Sequence, residues 1–166
     1  MIPVAGLTAL AVIDTNVWLD LFIFLDARAE PLRRALDAAD GVQAVRSAPT
    51  DAELDAVLRR PRFALLQARA AAGLEYWRRT ARDLAPGTSG AGAPWICRDP
   101  DDQKFLELAF AARASLLLTK DKALLALHRR ATRDGLAILS PSDFGRRIAD
   151  NRQSQGQRIV ERVVAA

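Results

Sequence analysis

The hydrophobic positions of the chain fall into short, continuous apolar runs separated by stretches with helical periodicity. Four of these runs predict strands buried on both faces of a sheet: residues Ala9–Ile13, Val42–Arg46, 114–119 and 136–139. Because strands and helices alternate along the chain, the pattern predicts an α/β fold with a parallel sheet sandwiched between helices.

Proline, serine and acidic residues at helix starts predict the intervening helices. The predicted ranges are 17–25 with Asn16 as its cap, 32–39, 49–59, 64–72 and 74–84 separated by Gly73, 100–113 with Asp99 as its cap, 122–128 with Asp121 as its cap, and 141–148 with Ser140 as its cap. The sequence PGTSGAGAP at residues 86–94 predicts a surface loop. We expect residues 1–148 to form a single domain and residues 149–166 to form a tail that is either helical or in contact with another subunit.

The charge and cysteine content restrict the compartment and the partner. The net charge is +4, and 21 of the 24 basic residues are arginines, whose forked guanidinium suits the phosphates of RNA. For the composition alone, codon usage in a GC-rich genome is the favoured explanation of the arginine content. A single cysteine, Cys97, excludes an internal disulfide and favours a reducing compartment. No apolar run approaches the roughly 20 residues of a membrane span, so we expect a cytoplasmic protein.

Acidic residues stand at the predicted carboxyl ends of two strands, which is where open α/β sheets bind their ligands. Asp14 ends the first apolar run, and Asp121 follows the strand that ends at Thr119. Asp102 would be the third residue of its helix, and Glu53 would lie in the helix after the second strand. The four acids therefore come from four segments that the topology allows to converge.

Each acid also has a purely structural interpretation. Asp102 and Asp121 suit a helix start, where they favour the helix dipole or cap it. A glutamate within a helix, such as Glu53, is normally solvated. Asp14 is the hardest to explain as a cap, because Asn16 fits that role more naturally.

Converging carboxylates require a cation or protons. Two unit charges at about 4 Å repel by on the order of 4 kcal/mol at an effective dielectric of 20. Oxygen ligands without histidine or cysteine partners favour Mg²⁺ or Mn²⁺. Zinc is disfavoured, since the chain has one histidine and one cysteine.

Four segments, in order, resemble the motifs of PIN domains: AVIDTNVWLD, SAPTDAELDAVLRRPRF, CRDPDDQKFLELAFAARASLLLTKDKALLAL and ILSPSDF. They cover most of residues 11–144 and are most similar to the branch described as toxin components of toxin–antitoxin systems, the VapC-like ribonucleases. Residues 26–45, 67–93 and the tail after Phe144 carry no such signature.

The resemblance implies a three-layer α/β/α sandwich with a short, mostly parallel sheet, and Mg²⁺- or Mn²⁺-dependent hydrolysis of RNA phosphodiesters. It implies that Asp14, Glu53, Asp102 and Asp121 hold the metal. Asn16 and Thr119 would support them by hydrogen bonds, with Thr15 a lesser candidate and Asp99 an additional acid of open role. The implied partners are the RNA substrate, an antitoxin protein and a second copy of the chain.

Basic residues near the acidic motifs are candidates for binding RNA phosphates: Lys120, Lys122, Arg59, Arg60 and Arg62. The alternative for any one of them is a solvated helix face. The alternative for the whole chain is a non-catalytic module that binds RNA or a protein partner, and cleavage of DNA also stays open. A phosphatase of the haloacid-dehalogenase type is disfavoured because its Asp-x-Asp motif would need an aspartate where Asn16 stands.

Overall fold

The computed structural model describes residues 9–38, 41–85 and 92–151 of the chain. In these ranges five strands form one sheet: β1 (Ala9–Ile13), β2 (Val42–Arg46), β3 (Arg82–Asp83), β4 (Leu116–Leu118) and β5 (Ala137–Leu139). Their order is β3-β2-β1-β4-β5, and every neighbouring pair is parallel. The predicted parallel α/β fold is confirmed.

Helices connect the strands. Their bounds are α1 (Thr15–Leu19), which continues into a π-helical turn (Asp20–Phe24), α2 (Glu30–Asp37), α3 (Ala48–Leu58), α4 (Gln67–Thr80), α5 (Gln103–Ala111), α6 (Lys122–Leu125) and α7 (His128–Arg133). Residues 141–151 are also helical and are called α8. Short 3₁₀ turns precede α2, α4 and α5 at Ala27–Ala29, Pro61–Leu66 and Pro100–Asp102.

Two hydrophobic cores lie on opposite faces of the sheet, because successive strand residues point to opposite sides. Ala11 and Leu118 face the core formed with α1, α2, α3, α4 and α8. Val12 and Leu117 face the other core, formed with α5, α6 and α7. This arrangement is the predicted three-layer sandwich, and it explains why the strand sequences are apolar without alternation.

Gly73 was predicted to separate two helices, and that prediction is wrong because α4 passes through it. A Cβ at this position would lie 2.8 Å from the Cβ of Phe22 and 3.0 Å from the ring of Trp18. The glycine therefore allows α4 to approach α1 and the π-helical turn closely. It does not end the helix.

Two further predictions about elements are wrong. The helix predicted up to residue 84 ends at Thr80, and the exposed pair Arg82–Asp83 forms the edge strand β3 instead. The helix predicted to run from its Asp121 cap to residue 128 ends at Leu125, and a separate helix, α7, begins at His128. The first case reflects the pairing of β3 with β2, which local propensity does not contain.

Most of the predicted loop and of the predicted tail lies outside the described residues, at 86–91 and 152–166. The division into a domain and a tail therefore stays a prediction. Across the part of the chain that the structure describes, no helix combines the length and the apolar character needed to cross a bilayer.

Candidate active site

Asp14 lies at the carboxyl end of the central strand. Strands β1 and β4 pair with Ile13 opposite Leu118, so Asp14 and Thr119 follow the ends of adjacent strands. The Asp14 carboxylate is 2% exposed and accepts two hydrogen bonds, from the Thr119 hydroxyl at 2.7 Å and from the backbone N–H of Asn16 at 3.3 Å. Register alone places this buried carboxylate at the ligand-binding edge of the sheet.

Asp14 is also the N-cap of α1, which begins at Thr15. The prediction that Asn16 caps this helix is therefore wrong, because Asn16 is already the second residue of the helix. Asn16 supports Asp14 through its backbone N–H, a contact that any residue except proline could supply.

The Thr119 hydroxyl connects two of the four acids. It donates to Asp14 and accepts the backbone N–H of Asp121 at 2.9 Å, and its side chain is fully buried. Asp121 caps α6, because its Oδ1 accepts the N–H groups of Ala123 and Leu124 at 2.6 and 3.1 Å. Asp121 thus combines a structural role with a position beside Asp14.

Glu53 points toward the end of β1. Helix α3 packs against α1 and α5, so the Glu53 side chain meets Thr15, whose hydroxyl donates to Oε1 at 2.7 Å. The ammonium of Lys104 forms an ion pair with Oε2. Glu53 is therefore held among the other acids and is not a solvated helix residue.

Asp102 is the third residue after its cap, as predicted. Asp99 accepts the N–H of Asp101 and opens the 3₁₀ turn. The pKa of Asp102 is raised to about 6; burial is the largest cause, and the charges of Asp14, Asp121, Asp99 and Glu53 act in the same direction.

The pKa of Asp14 is raised as well. Burial is the largest cause, opposed by the hydrogen bonds from Thr119 and Asn16 and reinforced by the charges of Glu53 and Asp121. The four predicted acids therefore act on one another electrostatically. Asp99, which is exposed, contributes to the field at Asp102.

An open cleft of about 540 Å³ lies between α3 and the start of α5. Glu53, Asp102, Lys104 and Arg60 line it. Asp14 is not part of the lining and lies deeper, at the strand end. The cleft gives a substrate access to the helix side of the acid cluster.

The five predicted RNA-binding residues differ in position. Arg60 borders the cleft, and Lys120 forms an ion pair with Asp20 at 2.7 Å. Lys122, Arg59 and Arg62 are exposed, and Arg62 lies over the Phe63 ring, 4.8 Å from its centre.

Asp20 and Lys104 were missed by the sequence analysis. Asp20 is 5% exposed in the π-helical turn. An acid inside the apolar stretch WLDLFIF was the signal that could have identified it. The ion pair between Lys104 and Glu53 joins two separate motifs and has no local signal.

Among the described residues, no three histidine, cysteine or acidic side chains are arranged to hold a metal ion as they stand. The donor chemistry nevertheless fits Mg²⁺ or Mn²⁺, since the cluster offers only hard oxygen ligands. Asp14, although buried, has no cationic partner in the described ranges, and the Asp121 Oδ2 accepts no hydrogen bond there. Burying an ionised carboxylate is costly unless it is paired with a cation, and an unpaired one tends to take up a proton.

The sequence profile of the PIN domain matches residues 10–123, more than half of the chain, and this stretch contains all four acids. The chain belongs to the PIN-domain family. No curated protein sequence matches it.

The fold is shared with a chain in the crystal structure of VapBC2 from Rickettsia felis bound to a DNA fragment from their promoter. The TM-score is 0.52 at 12% sequence identity, and the alignment covers 79% of this chain and 98% of that chain. At this identity the likeness concerns the fold.

Proposed function

We propose that the protein is a metal-dependent endoribonuclease that hydrolyses RNA phosphodiester bonds. PIN domains are generally nucleases. The observation that carries the proposal is the buried Asp14 carboxylate, which lies at the ligand-binding edge of the sheet, within the field of Glu53 and Asp121, and whose own charge acts on Asp102. Buried carboxylates are usually paired with a cation, and Asp14 forms no ion pair in the described ranges.

Asp14, Glu53, Asp102 and Asp121 would hold Mg²⁺ or Mn²⁺. When bound, such an ion supplies a Lewis acid that activates water and neutralises charge on the phosphate. The roles of the surrounding residues follow from their hydrogen bonds. Thr119 fixes one oxygen of Asp14 and the backbone of Asp121, and Thr15 fixes one oxygen of Glu53.

The substrate assignment to RNA rests on charge and access. The protein is basic, with a net charge of +4, while its acid cluster repels phosphates. Arg60 places a positive charge on the rim of the same cleft, where it can attract the phosphate backbone. Lys122 adds a charge beside Asp121.

The fold shared with a chain of a VapBC complex supports a place for the protein in a toxin–antitoxin system. In this proposal the protein is the toxin, acts in the cytoplasm, is held inactive by an antitoxin protein and forms a homodimer. The non-catalytic binding module is the competing outcome of the experiment below.

The test is cleavage of a mixed RNA pool with Mn²⁺ by the wild type, by Asp14→Asn and by Glu75→Gln. The first variant keeps a side chain able to cap α1 but removes the charge, and we expect activity to fall more than about a hundredfold, since partners of metal ligands alone account for 10- to 100-fold. Glu75, an exposed acid on α4, is the matched control and should leave cleavage unchanged.

A single-stranded DNA pool in the same assay tests the substrate class. Cleavage of DNA in preference to RNA would replace the ribonuclease assignment. Equal rates for the wild type and Asp14→Asn, or no cleavage together with no Mn²⁺ binding by calorimetry, would favour the binding module instead.

A further inference from the structure

Lys104 contacts the acid cluster directly. Its ammonium forms an ion pair with Oε2 of Glu53 and donates to the carbonyl oxygen of Asp101. The side chains of Lys104 and Glu53 are 23% and 26% exposed, so the pair is largely shielded from water. The ammonium of Lys104 on α5 thus reaches across the cleft and contacts Glu53 on α3.

A second lysine near the cluster, Lys120, is engaged elsewhere. Lys120 is held by Asp20, which is not one of the four acids. Within residues 9–38, 41–85 and 92–151, Lys104 is the basic residue that forms an ion pair with any of Asp14, Glu53, Asp102 and Asp121. The cluster therefore contains one internal cation.

Both oxygens of Glu53 are occupied, Oε1 by the Thr15 hydroxyl and Oε2 by Lys104. A metal ion bound to Glu53 would be compatible with the contact to Thr15 but not with the contact to Lys104. A hydroxyl can stay hydrogen-bonded to a carboxylate that also binds a metal, whereas an ammonium is repelled by a divalent cation at the same oxygen. Glu53 can therefore bind a metal ion only if Lys104 moves away from Oε2, or if the ammonium stays there and is repelled by the metal ion.

We propose that Lys104 is the internal counterion of Glu53 in the metal-free protein and that it competes with the divalent cation for this carboxylate. Lys104 keeps Glu53 folded against the cluster while no metal is bound, and it lowers the affinity of the site until the metal concentration is high enough to displace it. The inference rests on the proposed metal site and adds a residue that tunes it.

The first experiment measures Mn²⁺ binding by calorimetry, without RNA, for the wild type, Lys104→Met and Lys122→Met. Methionine keeps the length of the lysine stem and removes the charge. Lys122 lies beside Asp121 and forms no ion pair in the described ranges, so its variant measures the through-space effect of losing a nearby charge. We expect Lys104→Met to bind Mn²⁺ about tenfold more tightly than the wild type, within the usual range for coupled sites, and Lys122→Met to show a clearly smaller gain.

Thermal unfolding provides a second readout. In EDTA, Lys104→Met should melt several degrees below the wild type, because Glu53 loses its partner among like charges. Saturating Mn²⁺ should raise its melting temperature more than it raises that of the wild type. Lys104→Arg, which keeps the charge, should resemble the wild type in both conditions.

Chemical labelling of the wild-type protein keeps the inference testable even if a variant folds poorly. The chain has three lysines, Lys104, Lys120 and Lys122, so reductive methylation followed by peptide mass spectrometry resolves each one. Mn²⁺ should raise the methylation rate of Lys104 severalfold and leave that of Lys120, which stays paired with Asp20, unchanged.

The outcomes separate this inference from the proposed function. If the wild type binds Mn²⁺ but Lys104→Met binds it no more tightly than Lys122→Met, competition by Lys104 is wrong and the metal site stands. Weaker binding by Lys104→Met, or protection of Lys104 from methylation by Mn²⁺, would also overturn it. If neither the wild type nor the variant binds Mn²⁺, the metal site and this inference both fail.

Discussion

The candidate site has two halves that are built differently. The strand-borne half consists of Asp14, Thr119 and Asp121, which follow the ends of β1 and β4. The helix-borne half consists of Glu53 on α3, Asp102 in the 3₁₀ turn before α5, and Lys104 on α5. Asp14 is 2% exposed and Thr119 is fully buried, whereas the Glu53 and Lys104 side chains are about a quarter exposed.

The difference concerns how each half is held. Parallel register and the Thr119 hydroxyl fix the strand-borne half through hydrogen bonds to backbone and side chain. The helix-borne half is held by side-chain contacts that Glu53 on α3 makes with α1 and α5. We therefore expect the strand-borne half to keep its geometry when a metal binds and the helix-borne half to rearrange more easily.

Two matched substitutions, Thr119→Val and Thr15→Val, test this comparison, because each removes one hydroxyl. In the strand-borne half, Thr119→Val should have the larger effect, because the Asp14 carboxylate and the Asp121 N–H both lose a buried partner. We expect the free energy of unfolding to fall by about 2 kcal/mol, the penalty of a buried unsatisfied group. Cleavage should fall roughly 10- to 100-fold, as for other partners of metal ligands. Urea unfolding and RNA cleavage measure the two effects. Thr119→Ser, which keeps the hydroxyl, should recover most of the activity.

The pH dependence of metal binding tests the helix-borne half. The pKa of Asp102 is raised to about 6, so below that pH a proton must leave before the carboxylate binds a metal. Mn²⁺ affinity should fall by up to about tenfold between pH 6 and pH 5, since one displaced proton gives one decade per pH unit. Calorimetry from pH 7.5 to pH 5 measures this.

The same raised pKa makes the stability of the metal-free protein change with pH in the opposite direction to the metal affinity. A carboxyl with a folded-state pKa above its ordinary 3.8 holds its proton more tightly when folded. Its contribution to stability is therefore present at low pH and is lost as the pH rises through about 6. Asp102→Asn should weaken both dependences, and an unchanged Mn²⁺ affinity between pH 7 and pH 5 would contradict the shifted pKa. Asp14, whose pKa is also raised, contributes in the same direction.

The smallest effect is expected from Thr15→Val, the helix-side counterpart of Thr119→Val. Glu53 keeps its Lys104 partner when the Thr15 hydroxyl is lost. The stability loss should be at most about 1 kcal/mol, the net value of an ordinary hydrogen bond, and cleavage should fall only a fewfold. If Thr15→Val proved more damaging than Thr119→Val in both assays, the contrast between the two halves would be wrong.

The same division explains how far the sequence could predict the site. The strand-borne half has a local signature, an apolar run that ends in an acid, and its meaning follows from the parallel sheet alone. Asp14 and Asp121 were therefore accessible to reasoning from the residues. The cap of α1 was misplaced because a single acid performs two tasks, capping the helix and facing the cluster.

The helix-borne half depends on packing between distant segments. Glu53 was placed in the site by the family resemblance, since a glutamate in α3 gives no local indication of its direction. The ion pairs of Lys104 and Lys120 join residues from separate segments, and no pattern along the chain contains them. The edge strand β3 was not predicted for a related reason. Its two exposed charged residues form a strand only because β2 lies beside them.

The central position of β1 also governs how the site behaves in time. The strand is third of five, has β2 and β4 on its two edges and contacts a core on each face. We therefore expect its amide hydrogens to exchange with solvent mainly in openings close to global unfolding, whereas smaller fluctuations should suffice at an exposed edge such as β3. On this expectation Asp14 follows a slowly exchanging strand, and a protease that samples local openings should leave this end of the site intact until the fold is largely lost.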